Sequence, residues 1–189
     1  MRITAGTLRG RRLTTLRGQA IRPTSSKVRE AVFNLLKDRI EGARVLDLFA
    51  GAGALGIEAL SRGATFTLFV DSSGTAKRTI EENLKQLELG ERGRVLCCEV
   101  EKAIKMLSRN GERFQIVFMD PPYGKGLAQD SLRAIAQQAI LAAEGIVVVE
   151  QGKRERIGDE YGILRLKTSK RYGDTQVSVF VTAPKGGNG

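Results

Sequence analysis

Short apolar runs alternate, through the middle of this 189-residue chain, with segments whose apolar residues recur at helical spacing. Such alternation is typical of a parallel sheet whose two faces are covered by helices. The pattern predicts strands at 44–49, 65–70, 94–98, 114–119 and 146–150, separated by helices at 54–62, 74–89, 100–108 and 127–143. We therefore expect an α/β fold with a mostly parallel, doubly wound sheet.

The two ends of the chain depart from this alternation. Apolar residues from Val28 to Leu36 predict one more helix, capped by Thr24, Ser25 or Ser26. Segments 163–170 and 177–182 flank a turn at 171–175 and predict an antiparallel hairpin at the sheet edge. We expect a single domain over residues 1–184, followed by a disordered tail at 185–189.

Positive charge is concentrated at the start of the chain, which carries a formal net charge of +10. Residues 1–29 contain seven arginines and one lysine and no acidic residue, whereas the rest is nearly balanced. Lysines and arginines that neutralise phosphates gain affinity by releasing counterions, so residues 1–24 are predicted to form a basic arm that binds nucleic acid. A solubilising segment is the alternative. The candidate contacts are Arg2, Arg9, Arg11, Arg12, Arg22, Lys27 and Arg29.

Absent residue types restrict the chemistry. The chain has no histidine, which excludes Ser-His-Asp and Cys-His catalysis and removes the commonest metal ligand. Its two cysteines, Cys97 and Cys98, are sequence neighbours in an apolar run, so we expect buried thiols and no metal site. Neither a membrane-spanning apolar stretch nor a signal peptide is recognisable, and a cytoplasmic location is expected.

Four predicted strands each lead into a carboxylate, namely Asp47, Asp71, Glu99 and Asp120. Ligands of open α/β sheets bind beyond the carboxyl ends of the strands. We therefore expect the chemistry to lie at this edge of the sheet.

A glycine-rich segment follows the first of these strands. Gly51, Gly53 and Gly56 match the dinucleotide fingerprint, and Asp71 lies twenty residues after Gly51, where a carboxylate can bind a ribose diol. Asp47, four residues before the first glycine, would repel a pyrophosphate but suits a cation. S-adenosylmethionine carries an ammonium and a sulfonium and no phosphate, so it fits better than NAD. The alternative is a purely structural turn. The expected cofactor contacts are Asp47, Phe49, Ala50, Gly51, Gly53, Asp71, Ser72, Glu99, Val100 and Asp120.

The strand at 114–119 leads into Asp120, Pro121, Pro122 and Tyr123, our predicted catalytic residues. Two prolines after an acid fix a rigid, extended corner. The Asp120 carboxylate and the Pro121 carbonyl could accept hydrogen bonds from an exocyclic amine of a base and localise its lone pair. Tyr123 could stack on that base, a contact worth about 1 to 3 kcal/mol. A loop in which the prolines only end the strand is the alternative.

The chain resembles the bacterial small-subunit (16S) ribosomal RNA guanine-N2 methyltransferases, of the RNA methyltransferase D type, over nearly its whole length. The resemblance rests on MRITAGTLRGR at 1–11, RPT at 22–24, VREAVFN at 28–34, DLFAGAGALGIEALSRG at 47–63, DPPY at 120–123 and RYGDT at 171–175. Relatives often have Gly-Asp where this chain has Cys98 and Glu99.

The resemblance implies a Rossmann-like methyltransferase sheet with S-adenosylmethionine as methyl donor. It also implies a monomer that modifies a guanine of 16S ribosomal RNA, with ribosomal proteins of the assembling subunit as further partners. Arg171 joins the expected RNA contacts.

Three other functions stay open at this point. An adenine-N6 methyltransferase would use the same tetrapeptide. A non-catalytic RNA-binding module would keep the cofactor pocket only as architecture. An NAD oxidoreductase is disfavoured by Asp47 and by the lack of a histidine proton carrier.

Overall fold

The computed structural model describes residues 1–16 and 26–183 as an α/β fold. Its strands are β1 (Arg44–Leu48), β2 (Phe66–Asp71), β3 (Gly93–Cys97), β4 (Phe114–Met119), β5 (Leu141–Gly152), β6 (Glu160–Tyr161), β7 (Leu164–Tyr172) and β8 (Thr175–Thr182). Its helices are α1 (Ser26–Leu36), α2 (Ala54–Ser61), α3 (Gly74–Gln86), α4 (Val100–Arg109) and α5 (Leu127–Gln137), and a 3-10 turn at Lys37–Arg39 follows α1. No helix within these described ranges has the length and apolar content needed to cross a bilayer.

The strands form one sheet in the order β3-β2-β1-β4-β5-β8-β7-β6. Strands β1 to β5 are parallel to one another. The remaining pairs, β5–β8, β8–β7 and β7–β6, are antiparallel. The order reverses between β1 and β4, so the carboxyl ends of these two strands flank the point where such sheets bind ligands. The predicted doubly wound sheet with an antiparallel hairpin at its edge is confirmed.

The boundary between α5 and β5 differs from the prediction. The helix ends at Gln137 instead of continuing to residue 143, and Gln138 is already extended, with ψ 124°. Leu141 pairs with Phe114 of β4, and the Phe114 N–H donates to the Ile140 carbonyl. Sheet pairing therefore overrides the helical spacing of these apolar residues.

Two apolar cores lie on opposite faces of the sheet. On one face, α1, α2 and α3 contribute Phe33, Leu60 and Ile80, which pack in one cluster with Phe118 of β4. On the other face, α4 and α5 pack on a second cluster. Phe33 and Phe118 are in ring contact, with centroids 5.6 Å apart. The helices thus hold β1 and β4 between two apolar layers, and this packing fixes the positions of the strand ends.

The N-terminal residues 1–16 form a small hairpin that packs on the body. Ile3 and Leu13 are buried, and Arg2 and Arg12 form a β-bridge. The Thr7 N–H donates to the Ser61 carbonyl at the end of α2 over 2.8 Å. Helices that follow parallel strands return to the amino-terminal edge of the sheet, so the turn of the hairpin lies at that edge.

Two further predictions of burial and exposure are wrong. Cys97 is exposed and Cys98 only partly buried, because β3 is the edge strand of the sheet and little covers its end. Arg29, predicted to bind RNA, is 1% exposed. Arg22, the caps Thr24 and Ser25, and the predicted tail lie outside the described residues.

A charged cluster explains the burial of Arg29. Its guanidinium donates to the Arg2 carbonyl over 2.7 Å and to the Met1 sulfur over 2.6 Å. It also lies 3.6 Å from a carboxylate oxygen of Glu58, which is itself buried. Burial lowers the pKa of Arg29, and the Glu58 charge opposes that shift. This arginine therefore ties the hairpin and α1 to α2 and does not face a ligand.

Candidate active site

The loop between β1 and α2 has backbone conformations that favour glycine. Gly51 has φ 55° and Gly53 has φ 79°, both in the left-handed region. A Cβ atom at Gly53 would lie 3.2 Å from Ile80 and 3.3 Å from the Phe69 ring. Phe49 also has a positive φ, 59°, which is unusual for a residue with a side chain. The loop therefore makes a tight turn at the carboxyl end of β1.

Asp71 holds this loop from the end of the neighbouring strand β2. One of its carboxylate oxygens accepts the Gly51 N–H over 2.9 Å, and the other accepts the Ser73 N–H over 2.9 Å. Each oxygen keeps a second lone pair that a ribose hydroxyl can use. Asp71 thus orders the loop and is placed to bind a diol beside it.

Asp47 is buried below the loop, with 2% of its surface exposed. Its Oδ2 accepts the Gly56 N–H over 2.8 Å. Burial raises the pKa of Asp47 well above its usual range, the charges of Asp120 and Asp71 raise it further, and the Gly56 hydrogen bond opposes the rise. Three carboxylates that act on one another favour a cationic ligand, because a positive charge relieves their repulsion.

The other predicted cofactor residues lie at the same edge of the sheet. Phe49 is partly buried, Ala50 is 9% exposed, and both belong to the glycine loop. Ser72 follows β2 and is exposed. Glu99 is exposed at the start of α4, and Val100 behind it is buried. The structure therefore gathers these residues at the ends of β1, β2 and β3, and their contact with a cofactor stays a prediction.

The predicted catalytic residues follow β4, whose pairing with β1 brings them beside the glycine loop. The charge of Asp120 acts on both Asp47 and Tyr123. Pro121 is buried and Pro122 is exposed. Tyr123 is 47% exposed, which is unusual for a large aromatic residue of this protein. A carboxylate and an aromatic ring are therefore presented together next to the donor loop.

Two residues that sequence reasoning did not single out position Tyr123. Its hydroxyl lies 3.5 Å from Oε1 of Glu150. The ring packs across Gly152, where an added Cβ atom would lie 3.2 Å from it. Burial and the Glu150 charge raise the pKa of Tyr123 to about 12. The only sequence signal for Glu150 is an acid at the end of an otherwise apolar strand.

Most of the predicted RNA contacts are exposed, but they are not all near this site. Arg2, Arg9, Arg11 and Arg12 are exposed on the hairpin, and the Arg11 guanidinium donates to the Gln86 carbonyl at the end of α3. Lys27 is exposed in the first turn of α1. Arg171 is exposed at the β7–β8 turn. Arg171 belongs to a segment that adjoins the Tyr123 loop, and RNA contact by these residues stays a prediction.

Sequence comparisons identify relatives over nearly the whole chain. The model of the family described as conserved hypothetical protein 95 matches residues 1–181. YlbH of Bacillus subtilis, provisionally named an rRNA methyltransferase, is 36% identical over 180 residues, covering 95% of this chain and 98% of its own. Ribosomal RNA small subunit methyltransferase D of Escherichia coli K12 is 37% identical over 150 residues, covering 79% of this chain and 74% of its own.

Solved structures share the fold. The structure of yhhF from Escherichia coli, provisionally named a methyltransferase, has a TM-score of 0.83 and 32% identity, with 98% of this chain and 99% of that chain covered. SMU.776, also provisionally named a methyltransferase, was crystallised with SAH, the demethylated form of S-adenosylmethionine. It shares the fold with a TM-score of 0.67 and 16% identity, covering 82% of this chain and 48% of that chain. The predicted Rossmann-like methyltransferase fold is confirmed.

Proposed function

Because the chain belongs to the family described as conserved hypothetical protein 95, we propose that it transfers a methyl group from S-adenosylmethionine to the exocyclic N2 amine of a guanine in 16S ribosomal RNA. The predicted family is confirmed, and the chain is a methyltransferase of this family. The name of the Escherichia coli relative supports small-subunit ribosomal RNA as substrate. The guanine-N2 position is our own assignment.

The charges around the glycine loop support S-adenosylmethionine as the methyl donor. Asp47 and Asp71 lie below and beside the glycine loop, and neither arginine nor lysine is among their hydrogen-bond partners within the described chain. The ammonium and sulfonium of S-adenosylmethionine supply the missing positive charge, and the ribose diol matches Asp71. A pyrophosphate would add negative charge to the same place.

The observation that carries the proposal is the position of Asp120 and Tyr123 beside the glycine loop, where the target base would bind. Asp120 and the Pro121 carbonyl accept hydrogen bonds from the amine, and Tyr123 stacks on the base. The nitrogen lone pair then forms the bond to the methyl carbon while the carbon–sulfur pair returns to sulfur. The amine nitrogen loses its extra proton afterwards, so a strong base is not required. Holding both reactants in line supplies much of the rate.

The setting of the reaction is also part of the proposal. The hairpin arginines and Lys27 bind phosphates of the RNA, and the chain acts as a monomer on the assembling small subunit. Ribosomal proteins of that subunit contribute to recognition. A cytoplasmic location fits such a substrate.

Nucleoside analysis tests the proposed reaction. Purified protein, methyl-labelled S-adenosylmethionine and 16S ribosomal RNA from a strain that lacks this enzyme are incubated, and the digested nucleosides are identified by mass spectrometry. Labelled N2-methylguanosine is expected. Labelled N6-methyladenosine would overturn the guanine assignment, and cofactor binding without transfer to either base would overturn catalysis on this RNA.

A further inference from the structure

The loop after β5 carries basic residues that join the edge of the acceptor site. Lys153, Arg154 and Arg156 follow the strand end that holds Glu150, and Arg154 and Arg156 are exposed. Acidic residues nearby make the local sequence look neutral: residues 153–160 contain three bases and three acids. The structure separates these charges, and that separation is not visible in the sequence.

Glu155 is turned toward the protein. Its Oε1 accepts a hydrogen bond of 3.2 Å from the N–H of Gly124, the residue that follows the predicted catalytic residues in the sequence. The Glu155 carbonyl accepts a hydrogen bond from the Gln151 side chain over 3.0 Å, and the Glu155 N–H donates to the Gly152 carbonyl over 2.9 Å. The acid therefore anchors the loop to the Tyr123 segment, while the flanking arginines remain at the surface.

The same loop is tied to the β7–β8 turn and to α5. The Lys153 N–H donates to the Asp174 carbonyl over 2.9 Å, and the Lys153 ammonium pairs with the Asp174 carboxylate. The Arg156 carbonyl accepts a hydrogen bond from the Gln129 side chain over 2.7 Å. These three segments are therefore linked to one another and to the Tyr123 segment, and we name them together the acceptor rim. Its basic residues are Lys125, Lys153, Arg154, Arg156 and Arg171.

The side chains of Lys125, Arg154 and Arg156 form no ion pair with any residue in the described ranges. Of the other nearby acids, Asp174 pairs with Lys153 and Glu160 pairs with Arg165, whereas Asp159 is exposed and forms no ion pair within the described ranges. The acceptor rim thus carries three exposed basic side chains, Lys125, Arg154 and Arg156, whose charge is not neutralised by an ion pair within the described residues. The hairpin, in contrast, contacts the ends of α2 and α3 at the other edge of the sheet.

We propose that the acceptor rim binds the RNA phosphates that flank the target base. The inference rests on the proposed function and adds a second RNA contact surface to it. The N2 amine of a paired guanine lies in the minor groove, and enzymes that modify a base extrude it or act on a single strand. Phosphates on either side of an extruded base lie close to the ring on which it stacks. Arginine and lysine beside Tyr123 are therefore placed to hold them.

Charge-removal variants test the acceptor rim. The rim variant is Lys125→Gln, Arg154→Gln and Arg156→Gln. The control is Lys37→Gln, Arg109→Gln and Arg113→Gln, three exposed residues at the amino-terminal edge of the sheet. Binding to naked 16S ribosomal RNA and to assembled small subunits is measured at several salt concentrations, and S-adenosylmethionine affinity, measured by calorimetry, checks that the variants are folded. The kcat and KM for RNA are measured by methyl transfer.

The rim variant is expected to bind RNA at least tenfold more weakly and to lose a salt-dependence slope of roughly 0.7 to 0.9 for each phosphate contact removed. Its KM for RNA should rise and its cofactor affinity should stay unchanged. The control should match the parent. A rim variant with the parent's slope and KM would overturn the rim while leaving the methyltransferase intact. Loss confined to assembled subunits, with naked RNA unaffected, would also overturn it and indicate a protein partner.

A parent protein that methylates no guanine would contradict the proposed function instead. The salt dependence of RNA binding by the rim variant is measured without methyl transfer. Failure of the acceptor rim and failure of the proposed function can therefore be distinguished.

Discussion

The hydroxyl of Tyr123 lies 3.5 Å from the carboxylate Oε1 of Glu150, at the ends of neighbouring segments of the sheet. Glu150 is 5% exposed, whereas the Tyr123 ring is half exposed. With the hydroxyl held and the ring against Gly152, the exposed face of the ring has a fixed position. A fixed ring stacks on a base without losing side-chain freedom, which favours binding.

Changes at Tyr123 separate the ring from its hydroxyl. Tyr123→Leu removes stacking worth about 1 to 3 kcal/mol, so kcat/KM for RNA should fall by roughly tenfold to a hundredfold. Tyr123→Phe keeps the ring and should lose less. Tyr172→Phe, at a partly buried tyrosine of β7, is the control. Equal losses in the Phe and Leu variants would show that the ring does not stack on the base.

Replacement of Asp71 should weaken cofactor binding. Its carboxylate accepts two backbone N–H groups and is placed for the ribose diol, and an unpaired polar group costs about 1 to 3 kcal/mol. Asp71→Ala should therefore bind S-adenosylmethionine about tenfold more weakly or worse in calorimetry. Asp38→Ala, at an exposed acid of the 3-10 turn, should bind like the parent. Unchanged affinity in Asp71→Ala would refute this pocket.

The buried charge of Asp47 should make the stability of the cofactor-free protein depend on pH. Burial raises the pKa of Asp47 above its value in the unfolded chain, so folding takes up a proton, and the stability from this group is lost as the pH rises through the folded pKa. Asp47→Asn has no such charge and its amide oxygen can still accept the Gly56 N–H. The melting temperature of Asp47→Asn, relative to that of the parent, should increase as the pH rises above about 4, the ordinary pKa of an aspartate, through the raised pKa of the folded state.

Asp38→Asn, at an exposed acid of the 3-10 turn, is the control for Asp47→Asn. S-adenosylmethionine should reduce the advantage of Asp47→Asn, because the ligand's positive charge favours the ionised parent. A difference in melting temperature between Asp47→Asn and the parent that stays constant over the whole pH range would mean that burial does not raise the pKa of Asp47.

The Arg29 and Glu58 pair should matter for stability and not for RNA. Arg29→Met removes one partner of a buried ion pair, a change that costs about 3 to 5 kcal/mol when the other charge is left alone. Glu58 keeps Arg62 at 2.9 Å, so the loss in unfolding free energy should lie near the lower end, about 3 kcal/mol. Denaturant unfolding measures it, with Arg109→Met as control. A stable Arg29→Met with weakened RNA binding would restore the RNA role.

Sequence reasoning succeeded where the signal is local. Apolar runs placed β1, β2 and β4, and the spacing from Asp47 to Gly51 and Asp71 located the loop that these residues surround. Positions that depend on tertiary pairing were missed. Arg29 counts as one more arginine of a basic segment until Glu58 is brought beside it. In the sequence, Glu155 offsets part of the positive charge of its neighbours. In the fold, its carboxylate accepts a hydrogen bond from the Gly124 N–H.

The direct test of the account is the rate of methyl transfer in a single turnover by Asp120→Ala, with cofactor and RNA both saturating, so that the rate reports chemistry and not binding. Asp120 lies at a strand end, so the variant should fold. Because Asp120 is also an expected cofactor contact, the affinity of the variant for S-adenosylmethionine is measured first, and the cofactor is then supplied at saturation. Transfer should be abolished, and Asp120→Asn should lose less because its amide oxygen can still accept one amine proton. A rate near the parent's in Asp120→Ala would contradict the claim that this carboxylate holds the target amine.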